Sequence, residues 1–169
     1  APIEIVLRDL APRDNLRHKI SSGAAIYRGQ VVSVPAGLEL EMVSNRGAKT
    51  KLVGPASFFV DAVYDTGEVY WLNSGLVEVD NPDPARLVLV LHSSGMAGGY
   101  AGTFTANAPV GSVGLIIQSR NGNVVADKRV WATLGAARVG YYVRETLTPG
   151  QSLTTIGPSQ KPNENPLSS

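Results

Sequence analysis

From Ala24 almost to Ile156 the chain repeats one pattern: a few residues in which apolar and polar side chains alternate, closed by Gly, Pro, Asn or Asp. Side chains of a strand point to its two faces in turn, whereas an amphipathic helix needs apolar residues three and four apart, so these runs specify strands. The candidates are Ile3 to Leu7, Ala24 to Arg28, Gln30 to Val34, Leu38 to Val43, Thr50 to Val53, Ser57 to Val63, Glu68 to Leu72 and Leu76 to Val79. They continue with Arg86 to His92, Thr103 to Thr105, Val113 to Ser119, Asn123 to Ala126, Arg129 to Thr133, Val139 to Arg144 and Ser152 to Ile156. Short runs spaced about ten residues apart predict an all-β fold, with many short antiparallel strands in a sandwich or β-roll. The best helical segment is one short amphipathic turn over Arg13 to Ile20, where Asp14 follows Pro12 as a cap.

Some runs also declare their surroundings. In Leu38-Glu39-Leu40-Glu41-Met42 the leucines and the methionine share one face and the glutamates the other, which describes a half-exposed strand. Leu87 to Leu91 is apolar at every position, so both faces need cover, and Leu87, Leu89 and Leu91 are candidate interface residues of a central strand.

Asp80-Asn81-Pro82-Asp83-Pro84 interrupts any ladder, because proline lacks the N–H donor and fixes φ. The chain is therefore expected to divide into an N-terminal arm (1–23), a β subdomain (24–80), a second β subdomain (81–157) and an extended polar tail (158–169). Gly95 to Gly102, with four glycines in eight residues, reads as a loop or a flat, closely packed strand. Leu40 to Gly47 is echoed by Leu115 to Gly122, each an apolar strand entering a polar turn that ends in Gly, which suggests two similar halves. Asn121-Gly122 signals a type I′ hairpin.

Composition narrows the function. The 15 Lys+Arg against 14 Asp+Glu give a formal charge of +1, without the one-signed field that gathers phosphates or anionic lipid, so no nucleic acid is expected as a partner. The absence of cysteine excludes disulfides, thiolate metal sites and a cysteine nucleophile. The longest uninterrupted apolar stretch is far below the ~18–20 residues of a spanning helix, so no membrane span is expected. His18 and His92 lie far apart without a second ligand at metal spacing. Ser93-Ser94 beside His92 lacks a Gly-x-Ser-x-Gly elbow, and Asp61, Asp65, Asp80 and Asp83 match no calcium loop. No catalytic residue, metal or cofactor is expected. Alanine at position 1 fits cleavage after a small-residue signal site, and export is the expectation.

Val34-Pro35-Ala36-Gly37-Leu38-Glu39-Leu40, Asn45-Arg46-Gly47-Ala48-Lys49-Thr50-Lys51-Leu52, Gly54-Pro55-Ala56-Ser57-Phe58-Phe59-Val60 and Trp71-Leu72-Asn73-Ser74-Gly75-Leu76-Val77-Glu78-Val79 together resemble the FecR domain. The resemblance runs over about residues 26–80 and continues more weakly to 156, where Leu147-Thr148-Pro149-Gly150-Gln151-Ser152 is similar to the family's Pro-Gly-Gln step. It departs at Asn45-Arg46-Gly47, where the family has Asp-Gly-Ser. The resemblance implies a β-rich periplasmic or extracellular module, of the kind found in signalling receptors for anti-sigma systems and in surface proteins, without catalytic residues.

The resulting expectation is a non-enzymatic exported structural protein, a self-assembling subunit of a cell-surface structure, filament or coat. Its interface candidates are Ile3, Ile5 and Leu7 in the N-terminal arm, Pro158, Pro162 and Pro166 in the tail, the three leucines, Tyr100 and Tyr142. Two alternatives stand beside it. A carbohydrate- or cell-wall-binding module would present Tyr100, Trp131 or Tyr142 to glycans on a concave surface. A FecR-like periplasmic sensor would be a monomer with a specific protein partner.

Overall fold

The computed structural model describes residues 4–7, 16–19, 23–44, 47–111 and 114–155; for 4–7, 16–19 and Trp131 only the backbone is described. The fold is all-β: strands β1 (Glu4–Leu7), β2 (Leu16–Lys19), β3 (Gln30–Val34), β4 (Glu39–Val43), β5 (Lys49–Tyr64), β6 (Gly67–Asn81) and β7 (Leu87–His92) come first. They are followed by β8 (Gly95–Gly99), β9 (Gly102–Ala108), β10 (Ile116–Asn121), β11 (Val124–Leu134), β12 (Ala137–Leu147) and β13 (Ser152–Thr154). Among the described residues there is no helix, hence none long and apolar enough to cross a membrane. The part of the predicted helical turn that is described, Leu16–Lys19, is a strand antiparallel to β1.

The organising element is the β5–β6 hairpin, in which four sequence-predicted strands merge into two long ones. Each strand serves two neighbours along one edge: β5 pairs with β4 through Lys49–Val53 and with β3 through Ala56–Phe59. On the far side, β6 pairs with β7 through Gly67–Trp71 and with β9 through Gly75–Asn81. The β6–β7 pair is parallel, a departure from the antiparallel expectation. Its register forces the sheet to curl. Asn81 lies fourteen residues from Gly67, about 46 Å along a straight strand, yet Leu87 pairs with Gly67 after a linker of five residues, 82–86. Six Cα steps reach only about 20 Å, so β6 must bend back towards its own start.

The bend lies where the ladder shifts register between Val53 and Ser57. A Cβ on Gly54 would sit 1.8 Å from the Pro35 carbonyl oxygen, and one on Gly75, at φ 104°, would sit 2.4 Å from the Ala56 Cβ. Only glycine lets the backbones approach so closely there. Folding the hairpin over itself gives two layers that share it. One runs β4-β5-β6-β9-β10-β13, and the other β2-β1-β3-β5-β6-β7-β8-β11-β12.

Between them lies one continuous core that includes Val32, Leu52, Phe58, Leu72, Val77, Val88, Val90, Phe104, Leu115 and Ile117. It draws on residues from both sides of the Pro82–Pro84 break. That break is a braced turn: the buried Asn81 side-chain amide donates to the carbonyls of Arg86 (2.6 Å) and Gly99 (3.0 Å), while its oxygen accepts from the Asp83 N–H (3.3 Å). The glycine-rich run takes its strand alternative: Gly95–Gly99 is β8, between β7 and β11. Ala24–Arg28, predicted as a strand, is irregular and ends in a turn in which the Gly29 N–H donates to the Val60 carbonyl (2.8 Å). At the Asn121-Gly122 turn only Gly122 has positive φ, so it is not the predicted type I′ turn.

Candidate binding groove

The irregular segment 23–28 and strand β4 stand apart as the two walls of a groove of about 930 Å³, floored by Val60, Glu68 and Tyr70. All six consecutive residues from Glu39 to Ser44 line it. Alternate residues of a strand face opposite ways, so an unbroken run contacts one space only where the edge of the strand forms the wall. That edge carries no partner: β4 pairs only with β5 among the described strands.

Apolar groups shape the interior and the rim. Leu40, Met42 and Ile26 are half-buried against the core, while Tyr27 (68% exposed), Val43 and Val63 stand at the mouth. The Tyr27 N–H donates to Gln30 Oε1 at the start of β3 (2.6 Å), and Arg28 Nε donates to the Asp61 carbonyl of β5 (3.1 Å), which hold this wall to the sheet.

Under the floor lies a buried charge network. Glu68 is 1% exposed and forms an ion pair with Arg86 Nη1, while the Tyr70 hydroxyl donates to its other oxygen. Arg86 Nη2 donates to the Tyr64 carbonyl (2.8 Å), so the guanidinium joins the β5–β6 turn to the head of β7. Burial, then the hydrogen bond to Glu68 and that carboxylate's charge, push the Tyr70 phenol far above its usual range, against weaker opposing effects of Arg86 and Thr50. Tyr70 therefore stays a neutral donor, stacked on Phe58 at 4.9 Å.

The sequence-predicted interface residues do not converge on this groove. Ile5 and Leu7 lie on β1, whose two edges are taken by β2 and β3, so it is an inner strand of its own sheet rather than a free arm. Leu87, Leu89 and Leu91 are half-buried on β7, with Val88 and Val90 turned into the core. Leu89 lies over Gly98, whose absent side chain makes the room: a Cβ there would fall 2.6 Å from Leu89 Cδ2. Tyr100 and Tyr142 are exposed but sit beyond opposite ends of β8, and neither lines the groove. Ile3, Pro158, Pro162 and Pro166 lie outside the described residues, as does the Trp131 side chain.

His92 and Ser94, which a straight strand would have kept apart, meet through the β7–β8 turn. Ser94 Oγ is 2.8 Å from His92 Nδ1 and 2.5 Å from Thr155 Oγ1, which accepts the Leu115 N–H at 2.9 Å. The Ser94 N–H also donates to Nδ1 (3.1 Å), which assigns the imidazole proton to Nε2. Ser94 is fully buried, so this network ties the end of β13 to the opposite layer rather than presenting a nucleophile. Burial holds the His92 pKa below its usual value. Among the described residues no three His, Asp or Glu side chains gather into a metal-binding group.

No protein-family model matches the sequence, and no curated protein matches it. Solved structures share the fold. A crystal structure described as a "putative anti-sigma factor" from Parabacteroides distasonis superposes with a TM-score of 0.52 at 12% identity, covering 75% of this chain and 59% of that one. A second structure of the same description gives a TM-score of 0.51 at 13% identity over the same shares. This chain thus spans about three-fifths of the length of the chains it matches.

Proposed function

We propose that this chain is a non-enzymatic, exported protein-recognition domain of the FecR-like sensor type, and that the groove between segment 23–28 and β4 is where its partner sits. The observation that carries this reading is the groove itself: an apolar trough beside an unpaired strand edge, with large apolar side chains left exposed at its mouth. The sequence resemblance and the fold shared with the Parabacteroides chains point the same way by analogy. A non-enzymatic role is supported by the burial of Ser94 beside His92 and by the closure of Glu68 into an ion pair.

The test is site-specific photocrosslinking in the source organism, with a benzoylphenylalanine placed at Met42 or Val63 and, as a control, at Tyr100. A discrete protein adduct from both groove positions and none from Tyr100 supports the reading. Adducts from Tyr100 alone, or none from the groove, defeat it.

A second reading, assembly of copies through a sheet edge, is favoured by β12. This edge strand carries exposed Val139, near Leu134 of β11, and exposed Tyr142 on its other face, and the hairpin beyond Lys128 extends past its pairing with β8. Light scattering on the intact protein tests it: a multimer that Tyr142→Lys dissolves supports assembly, and a monomer at every concentration rejects it.

A further inference from the structure

Charge is ordered strand by strand on the outer face of the first layer. Glu41 of β4 stands directly opposite Lys51 of β5, which stands opposite Glu78 of β6; one rung along, Lys49 stands opposite Asp80. Glu39 completes the acidic column of β4 and reaches Lys51 at 3.2 Å. The columns therefore read negative, positive, negative across β4, β5 and β6, and the negative column of β4 ends at the free edge. Lys51 is already engaged by its carboxylate neighbours, which hold its pKa above the usual value. Glu41 has its opposite-charge neighbour on the β5 side alone.

Resting on the recognition-domain reading above, we propose that the groove takes an extended peptide segment of its partner as an added strand on β4, with basic residues alternating with apolar ones. Strand pairing places directly opposite residues on the same face. Residues paired with Glu39 and Glu41 would lie over the acidic column, which Lys or Arg complements. Residues between them would lie beside Leu40 and Met42, on the face turned towards the core, which Val, Leu or Ile suits. The main-chain groups of β4 on the side away from β5 supply the affinity common to strand addition, and the alternation supplies the register. Across the groove, the Arg28 guanidinium is turned to the Asp61 carbonyl, away from the acidic column.

The probe is a fluorescein-labelled peptide, Gly-Lys-Val-Lys-Val-Lys-Val-Gly, titrated against the full chain by fluorescence anisotropy at low salt. Two controls have the same length: one with the lysines and valines in separate blocks, and one with Glu for Lys. The alternating peptide is expected to bind at least tenfold more tightly than either control. Glu41→Lys should weaken it roughly tenfold, since an attractive cross-strand pair becomes a repulsive one. Glu41 is exposed, so this variant keeps the fold. Methylating alternate amides of the peptide, on the side that faces β4, should abolish binding, whereas methylating the other side should not. Binding of the blocked peptide as tightly as the alternating one, or indifference to methylation on both sides, would overturn strand addition. Crosslinks from Met42 to a partner without any preference for the alternating peptide would overturn it while leaving the recognition-domain reading in place. Absence of both would remove the two together.

Discussion

Replacing Arg86 by methionine isolates what the buried pair contributes. Arg86 is 4% exposed and its guanidinium donates to Glu68 and supplies the Tyr64 carbonyl with a partner, so methionine leaves a buried carboxylate facing only the Tyr70 phenol. Removing one member of a buried ion pair typically costs about 3–5 kcal/mol, because the charge left behind has lost solvent and partner together. For a domain of this size each kcal/mol corresponds to about 2–4 °C, so Arg86→Met should lower the melting temperature by roughly 6–20 °C. Glu68→Leu combined with Arg86→Met removes both charges and should recover most of that loss. What remains is the desolvation of the buried Tyr70 hydroxyl, about 1–3 kcal/mol, the Tyr64 carbonyl being only partly buried. Urea denaturation followed by circular dichroism, on the wild type, both single variants and the double variant, closes the cycle. A cost below about 1 kcal/mol for Arg86→Met, or a double variant no better than the singles, would refute the view that these charges stabilise each other in a dry site.

The His92 network predicts a pH dependence with a definite sign. Burial depresses the folded pKa, so the unfolded chain binds the extra proton first: stability is complete above about pH 6.5 and falls as the pH drops from there towards the folded pKa. His92→Gln should remove that part of the acid sensitivity, read as the difference in urea midpoint between pH 7.5 and 5.5. Gly75→Ala should destabilise by more than about 2 kcal/mol, because the new Cβ meets the Ala56 Cβ at 2.4 Å as well as an unfavourable φ. Gly135→Ala, at φ 62° in open space, should cost only about 1 kcal/mol, and equal costs in thermal melts would show that the close approach is unimportant. Asn81→Ala should cost about 2–3 kcal/mol by stranding the Gly99 and Arg86 carbonyls, and an unchanged denaturation midpoint would show that the turn is not braced through this side chain.

What could be read from the sequence was local. The alternation in Leu38–Met42 gives the correct faces for Glu39 to Met42 of β4, and the unbroken run Leu87–Leu91 is a central strand with Val88 and Val90 in the core. Gly54-Pro55 and Asn73-Ser74-Gly75 carry turn residues and divide the sequence pattern into shorter strands, yet in the fold those residues bend a strand without ending it. The parallel β6–β7 pair is set by closure of the whole sheet, which no window of ten residues contains. The groove was missed for a related reason. Ala24–Arg28 has the composition of a strand but finds no neighbour to pair with, and so becomes a wall. In the sequence Glu68 and Arg86 read only as the first residues of two strands. A full charge placed at the head of an apolar run, as Arg86 is before Leu87–Leu91, was the available signal that a buried partner had to exist.

The groove follows from the same bend that makes the core. A hairpin of two long strands offers two outer edges, and folding it at Gly54 and Gly75 divides each edge between two layers. On the β6 side the division is sealed, because β9 continues to β10 and β13, while β7 continues to β8, β11 and β12. On the β5 side it is sealed only in the second layer, where β3 is followed by β1 and β2; in the first layer β4 is the last of the described strands. Closing that layer with one more strand of this chain would bury Leu40 and Met42 fully and add stability, but it would also remove the edge and fill the trough. The half-burial of these two side chains and the exposure of Val43, Val63 and Tyr27 thus mark an unoccupied position beside β4, which with β2, β12 and β13 is one of four strands with a single described neighbour. Such a position suits a strand from outside the described sheet in apolarity, through Leu40 and Met42, and in charge, through Glu39 and Glu41.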